Sequence, residues 1–196
     1  VIGALDDMNI GILALQGDFI EHYDILRSLE VSPRLVKLPE HLANLDGLII
    51  PGGESTTIGK LAEAYHLMKP LRAFGRDHAI WGTCAGAIFL SKDAQREQPL
   101  LNLMDIQVER NAFGRQVDSF EVDLKAPFLM DGEDRPYHAV FIRAPIIKSV
   151  FGEAKVLLML SDGRIVAAQQ GHFLATSFHP ELTSDTRFHQ YFLELI

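Results

Sequence analysis

The first ninety residues alternate between two hydrophobic periods, and this alternation constrains the fold more than any other feature of the chain. Residues 9–15 form a short continuous apolar run closed by Gln16-Gly17, the pattern of a strand covered on both faces. Over residues 19–29, Phe19, Tyr23, Leu26 and Leu29 recur at helical spacing. Residues 33–38 and 47–50 read as a second and a third strand, the third ending in Pro51-Gly52-Gly53. Ile58, Leu61, Ala62 and Tyr65 resume the helical period, and Pro70 suits the first turn of a further helix that ends before His78. Residues 79–81 make a fourth strand, followed by Gly82-Thr83-Cys84-Ala85-Gly86 and the apolar start of a helix over 87–90. Strands alternating with helices predict a mostly parallel sheet covered on both sides.

The second half follows another pattern. Residues 106–109, 119–124, 139–143, 155–160, 164–169 and 173–178 read as short strands. Ser161-Asp162-Gly163 is a hairpin turn, which puts antiparallel strands at the sheet edge. Phe188, Tyr191, Phe192 and Leu195 close the chain as an amphipathic helix. The expected fold is α/β, a single domain over residues 8–196. Residues 1–7, apolar then acidic, fall outside the pattern as an N-terminal extension without an assigned role.

Charge and composition narrow the function. The 196 residues carry 18 Lys plus Arg against 26 Asp plus Glu, a formal charge of -8, which lacks the basic footprint of a nucleic-acid binder and disfavours an anionic membrane surface. No stretch reaches the roughly 18 uninterrupted apolar residues of a membrane span, and the start lacks the basic flank of a signal peptide. The one cysteine, Cys84, excludes an intramolecular disulfide and a multi-cysteine zinc site, and a cytoplasmic location is expected. The eight histidines form no metal motif, since His172 and His179 are spaced too widely for the common helical ligand pair. Neither a metal nor a cofactor is expected.

A lone cysteine in an α/β domain is ordinarily a small buried hydrophobe. Here it stands between a buried strand and a helix, flanked by Gly82 and Gly86. Glycines at those positions permit a sharp turn that lifts the central side chain out of the sheet, as in a nucleophile elbow. The positive end of the following helix favours the thiolate. A base is offered by His179-Pro180-Glu181 at the end of the last strand. Pro180 keeps His179 extended, and in an extended segment residues two apart point the same way, so Glu181 can fix the imidazole tautomer. Alone, that tripeptide is as well explained as a surface turn; with the elbow it completes a Cys84, His179, Glu181 triad. Two backbone donors suit a developing oxyanion: the N–H of Ala85, and the N–H of Gly53 in the glycine-rich turn that follows the third strand at the same carboxyl edge. A phosphate-binding turn is the weaker assignment there, because neither nucleotide-binding glycine motif is present. Gly52-Gly53 can also change peptide orientation at little steric cost, which predicts a donor that a partner switches into place.

Pro51-Gly52-Gly53-Glu54-Ser55, Gly82-Thr83-Cys84-Ala85-Gly86 and His179-Pro180-Glu181, in this order, resemble the three signatures of class I, triad-type glutamine amidotransferases. The run from Gly11 to Gly17, Glu21-His22, the segment from Glu109 to Gln116 and Phe141-Ile142-Arg143-Ala144-Pro145 narrow the resemblance to the family of glutaminase subunits of pyridoxal 5′-phosphate synthase. The resemblance runs from about Met8 to the C-terminus. It implies the three-layer fold of that class and hydrolysis of L-glutamine to glutamate and ammonia. It also implies a barrel-shaped synthase subunit as the partner that uses the ammonia to make the vitamin B6 coenzyme. Glutamine contacts are implied at Gly53, Glu54, Ser55, Arg110, Ile142 and Arg143. Arg110 and Arg143 have the right charge for a carboxylate, and Ile142 acts only through its backbone or by packing.

The triad by itself does not separate this family from the glutaminase subunit of another synthase, such as that of the histidine pathway, or from a γ-glutamyl hydrolase. The segment from Glu109 to Gln116 and the activating partner do. A redox sensor with a reactive elbow cysteine is the alternative from another class, and it has no need for a glutamate behind its histidine.

Overall fold

A computed structural model describes residues 8–110 and 119–196. The extension at 1–7 and most of the diagnostic segment, residues 111–116, lie outside the described residues. In chain order the elements are β1 (Asn9–Leu13), α1 (Phe19–Ser28), β2 (Ser32–Val36), β3 (Gly47–Ile50), α2 (Ser55–Ala64), α3 (Met68–Phe74), β4 (Ala79–Thr83), α4 (Ala85–Leu90), β5 (Ser91–Asp93), β6 (Met104–Glu109), β7 (Ser119–Leu124), β8 (Tyr137–Ile142), β9 (Ile146–Val150), β10 (Lys155–Met159), β11 (Ile165–Gln170), β12 (Phe173–Thr176) and α5 (Arg187–Leu193). No helix among them is long and apolar enough to cross a membrane.

The main sheet has the order β2-β1-β3-β4-β12-β11-β9-β6-β5, with β10 paired to β11. From β2 to β12 every neighbour is parallel. Beyond β12, strands β11, β9 and β6 follow in antiparallel pairings, so the mixed sheet agrees with the alternation in the sequence. Two features differ from the expectation. β7 and β8 are not edge strands of this sheet but pair with each other as a separate two-stranded sheet. β9 and the three-residue β5 escaped the sequence pattern because Lys148 and Ser149 interrupt the first and Ser91-Lys92-Asp93 offers no apolar run.

Alternation along the central strands divides the core in two. Leu13, Ile50 and Ile80 face α2, α3 and α4, where they meet Ile58, Leu71 and Phe89. Ile12, Ile49 and Trp81 face the opposite layer, made by α1, α5 and the β7–β8 pair, and meet Leu26, Phe192 and Phe141. Trp81 is fully buried there and donates its indole N–H to Thr176 Oγ1 at 3.1 Å. Against Trp81 lie two histidines with no exposed surface, His22 of α1 and His189 of α5, their rings edge-on to the indole and 2.9 Å apart from Nδ1 to Nε2.

The turn from β4 into α4 positions the site. Cys84 has φ 48° and ψ -108°, a left-handed backbone that a non-glycine residue adopts at a cost of about 1–3 kcal/mol. The glycines on either side explain how it is held. A Cβ on Gly86 would stand 1.9 Å from the Ile50 carbonyl oxygen of β3, and one on Gly82 would meet the Gly86 carbonyl at 2.5 Å. The first turn of α4 therefore packs backbone to backbone on two strands, and only glycine permits that approach.

Gly86→Ala is expected to lower unfolding free energy by at least 1–3 kcal/mol, read in urea, because the obstructing atom is backbone and cannot rotate away. Acid should destabilise the fold in a defined window. Burial holds His189 down to about 3, and burial followed by the proximity of His189 and His179 holds His22 well below the ordinary histidine value of 6.5. A depressed histidine contributes stability that is full above pH 6.5 and is lost as pH falls towards its folded value. Unfolding free energy should drop by several kcal/mol between pH 6.5 and about 3, and a profile that stays flat there would show that the pair is protonated in the folded state.

Candidate active site

At the carboxyl ends of β1, β3, β4 and β12 the surface opens into a cavity of about 450 Å³. This is the edge where open α/β sheets bind ligands. Gly53, Glu54, Ser55, Cys84, Ala85, Arg110, Ile142, Arg143 and His179 all line it. Glu181, the remaining residue singled out from the sequence, lies directly behind His179. The fold brings these residues together from five separate segments of the chain.

His179 and Glu181 meet by a route other than the extended one. β12 ends at Thr176, and residues Pro180–Leu182 form a 3-10 turn with Pro180 in its first position. Within that turn Glu181 Oε1 accepts from His179 Nδ1 at 2.6 Å. The backbone N–H of His179 donates to the Val140 carbonyl of β8 at 2.8 Å, which fixes the main chain that carries the ring. His179 and Glu181 are 5% and 6% exposed, so the pair sits almost entirely out of water. Burial opposes a charge on His179, but hydrogen bonding to Cys84 and Glu181 and their negative charge outweigh it and raise the imidazole to about 11. Burial likewise pushes the Glu181 carboxyl up, restrained by the hydrogen bond and positive charge of His179. With Nδ1 held by Glu181, the opposite edge of the ring is left for the Cys84 thiol.

The glycine-rich turn after β3 is gripped from the β1–α1 loop. Gln16 Oε1 accepts from the Glu54 N–H at 2.7 Å, and the Gly52 carbonyl accepts from the Asp18 N–H at 3.1 Å. Gly53 has φ 150°, in the half of the map that only glycine enters freely, and a Cβ there would meet Gln16 Oε1 at 2.5 Å. Glu54 is the N-cap of α2. Its carboxylate accepts from Thr56 N–H at 3.2 Å and from Thr57 N–H and Oγ1 at 2.7 Å each, and Arg110 Nη1 lies 2.9 Å away. Burial raises the Glu54 carboxyl, yet the Thr57 and Thr56 hydrogen bonds and the Arg110 charge bring it down to about 2. Glu54 is therefore an ionised cap that aims Arg110. Ser55 is buried, with its hydroxyl 3.4 Å from Gln98 Oε1. Arg143 follows β8 with φ 42°, a second strained residue at the rim.

Two polar residues of the cavity carried no assignment in the sequence. Gln16 is the clamp just described, and Asp18 places Oδ2 3.6 Å from His179 Nδ1. The only signal for them was position, directly after a parallel strand at its carboxyl end. Asp18, His179 and Glu181 bring one ligand atom each within 4.8 Å of one another, the sole such convergence found among the described residues. The 2.6 Å hydrogen bond already accounts for two of its three members.

The arrangement can perform acyl transfer: a thiol on a strained elbow, a histidine oriented by a buried carboxylate, and a polar cavity beside them. Comparison with known proteins agrees. The model of the SNO glutamine amidotransferase family matches residues 12–196. The chain is 54% identical over 193 residues to the pyridoxal 5′-phosphate synthase subunit PdxT of Herpetosiphon aurantiacus, covering 96% of this chain and 100% of the relative. It is 55% identical over 192 residues, with the same coverage, to the PdxT subunit of a Roseiflexus species. A crystal structure of a glutamine amidotransferase superimposes with a TM-score of 0.88 at 49% identity, over 95% of this chain and 97% of that one. With nearly the whole chain matched in sequence and in fold, the protein belongs to the SNO glutamine amidotransferase family.

Proposed function

We propose that the chain is the glutaminase subunit of a pyridoxal 5′-phosphate synthase, that residues 8–196 form its single glutaminase domain, and that Cys84, His179 and Glu181 carry the reaction. One observation supports the chemistry above all: the buried 2.6 Å hydrogen bond from His179 Nδ1 to Glu181, which leaves the other ring nitrogen for Cys84. The Cys84 sulfur adds to the side-chain amide carbon of glutamine. The thiol proton passes through His179 to the departing nitrogen, so ammonia leaves and a γ-glutamyl thioester remains. Water, giving a proton to the same ring, then attacks the thioester, and glutamate and the free thiol are released. The N–H groups of Gly53 and Ala85 stabilise the oxyanion formed in each half.

Glutamine is held by its α-carboxylate and α-ammonium groups at the rim. Arg110 and Arg143 supply positive charge and the capped Glu54 a fixed negative one, with Ser55, Gly53 and the backbone of Ile142 completing the wall. The relatives are named as subunits of a synthase, and the product gives a physical reason for a partner. Ammonia released into water is largely protonated and no longer nucleophilic, so hydrolysis profits from direct transfer to a second, barrel-shaped synthase subunit in a hetero-oligomer. Reorientation of the Gly52-Gly53 peptide by that partner couples the two activities. The compartment proposed is the cytoplasm, where the single thiol stays reduced. A redox-sensing role for Cys84 makes no use of the buried Glu181.

With the synthase subunit present, Cys84→Ala should bind glutamine and release no ammonia, and a glutamine-derived electrophile should label the wild type at Cys84 alone. His179→Asn should lose roughly a hundredfold to ten-thousandfold in turnover, and Glu181→Gln less, because the base itself remains. Normal turnover in Cys84→Ala would end the proposal. Arg110→Ala should raise the apparent KM for glutamine more than it lowers kcat, and an unchanged glutamine dependence would remove Arg110 from the site. Adding the synthase subunit should raise kcat by about a hundredfold, the worth of one oxyanion donor, while KM changes little. A chain equally active alone would defeat the coupling.

A further inference from the structure

Behind the triad, on the side away from the cavity, the second oxygen of Glu181 points at a histidine that the proposed reaction does not use. His22 Nε2 lies 3.5 Å from Glu181 Oε2, with both side chains fully buried. Glu181 Oε2 has no hydrogen-bond partner within ordinary distance among the described residues. The same Nε2 is 3.4 Å from Thr83 Oγ1, and His22 Nδ1 is 2.9 Å from His189 Nε2. His189 Nδ1 is buried without a partner.

These contacts select the tautomers. A bare lone pair on His22 Nε2 would face a carboxylate oxygen, so that nitrogen carries the proton and its Nδ1 accepts. His189 must then donate from Nε2, which leaves its unpartnered Nδ1 as a bare acceptor and not as an orphaned N–H, the rarer and costlier of the two in a protein interior. The alternative arrangement would bury an unsatisfied donor on His189 and set two lone pairs against each other at Glu181. We propose that His22 is a positioning residue of the triad: its neutral ring, set in the Nε2–H tautomer by His189, donates to Glu181 Oε2 and keeps Glu181 ionised and aimed at His179. This assignment rests on the triad described above. Both histidines are held neutral, as burial of the pair requires. The titratable groups facing Glu181 are His179 on its own turn, Asp18 from the β1–α1 loop, His22 from α1 and Tyr137 from β8, with Cys84 beyond His179 and His189 beyond His22.

The test uses the chain with its synthase subunit and reads ammonia release across pH. Removing the donor should raise the Glu181 carboxyl further, so in His22→Leu the acid limb of kcat/KM should move up by about one pH unit, with kcat about tenfold lower and KM unchanged. His22→Gln, whose amide N–H reaches the place of the ring Nε2–H, should return the limb towards the wild-type position. A His22→Leu profile that overlays the wild type overturns the proposal, since a merely structural loss lowers the active fraction without moving the limb. Cys84→Ala is run alongside: turnover surviving there sinks the triad and not the tautomer. Ring nitrogen NMR of the wild-type complex decides the tautomer without any activity, including where His22→Leu fails to fold. His22 and His189 both neutral and both protonated on Nε2 support the proposal, and a proton on His22 Nδ1 overturns it.

Discussion

The hydrogen bond from the Cys84 N–H to the Thr176 carbonyl, 2.8 Å long, joins two segments that are remote in the chain, and the site depends on it. It extends the parallel ladder of β4 and β12 by one rung beyond the pairing of Thr83 with Thr176. A slip of one residue would turn every β12 side chain to the opposite face. It would also carry the following His179 away from the elbow. The register is pinned from within the core by the Trp81 indole, whose N–H reaches past its ladder partner Leu174 to the Thr176 hydroxyl. Past β12 the chain is passed to other strands: Ser177 N–H donates to Val166 of β11 and His179 N–H to Val140 of β8. The path of the backbone, more than any preference of its own side chain, is what returns His179 over the cysteine.

The separate β7–β8 pair therefore has a task that its place outside the main sheet obscures. Its Val140 carbonyl anchors His179, and its Tyr137 and Phe141 pack against Phe178, the residue before the histidine. Phe188 of α5 closes the same aromatic group from beneath. Arg187, 2% exposed, ties α5 to this layer by donating to the Arg135 and Pro136 carbonyls at 2.8 and 2.9 Å. An apolar wall of this kind deprives His179 and Glu181 of water. Charge in such a place is tolerable only when each ion has a partner at hydrogen-bond distance, which explains why the 2.6 Å contact is accompanied by further polar groups stacked behind it.

How much of this was legible in the sequence depended on whether the signal was local. β3 was delimited to the residue because its apolar run is bounded by Asp46 and Pro51, and β4 fell short by two residues because Gly82 and Thr83 continue the strand without an apolar side chain. Gly82 and Gly86 could be read as an elbow because a Cβ at either position would stand 2.5 or 1.9 Å from a backbone carbonyl oxygen, which leaves room for glycine alone. The His179–Glu181 contact was foreseen with the wrong geometry: proline placed at the start of a 3-10 turn satisfies its own φ and folds the chain, where an extended segment was expected. β9, interrupted by polar residues, and the β7–β8 pairing left no local mark because both are settled by partners far along the chain. Gln16 and Asp18 carried no assigned role for the same reason, their contacts being made by a loop that reaches another loop.

The rim of the cavity sets a rigid charge beside an adaptable one. Glu54 and Arg110 are opposite charges 2.9 Å apart and partly exposed, a pair that on its own contributes little to folding. What fixes the geometry is the first turn of α2, whose Thr56 and Thr57 N–H groups hold the Glu54 carboxylate whether or not Arg110 is present. The arginine is the adaptable member, and the helix cap is the rigid one. The groups that cannot adjust are the capped Glu54 at the rim and, at the elbow, a cysteine and a histidine whose positions are set by backbone hydrogen bonds.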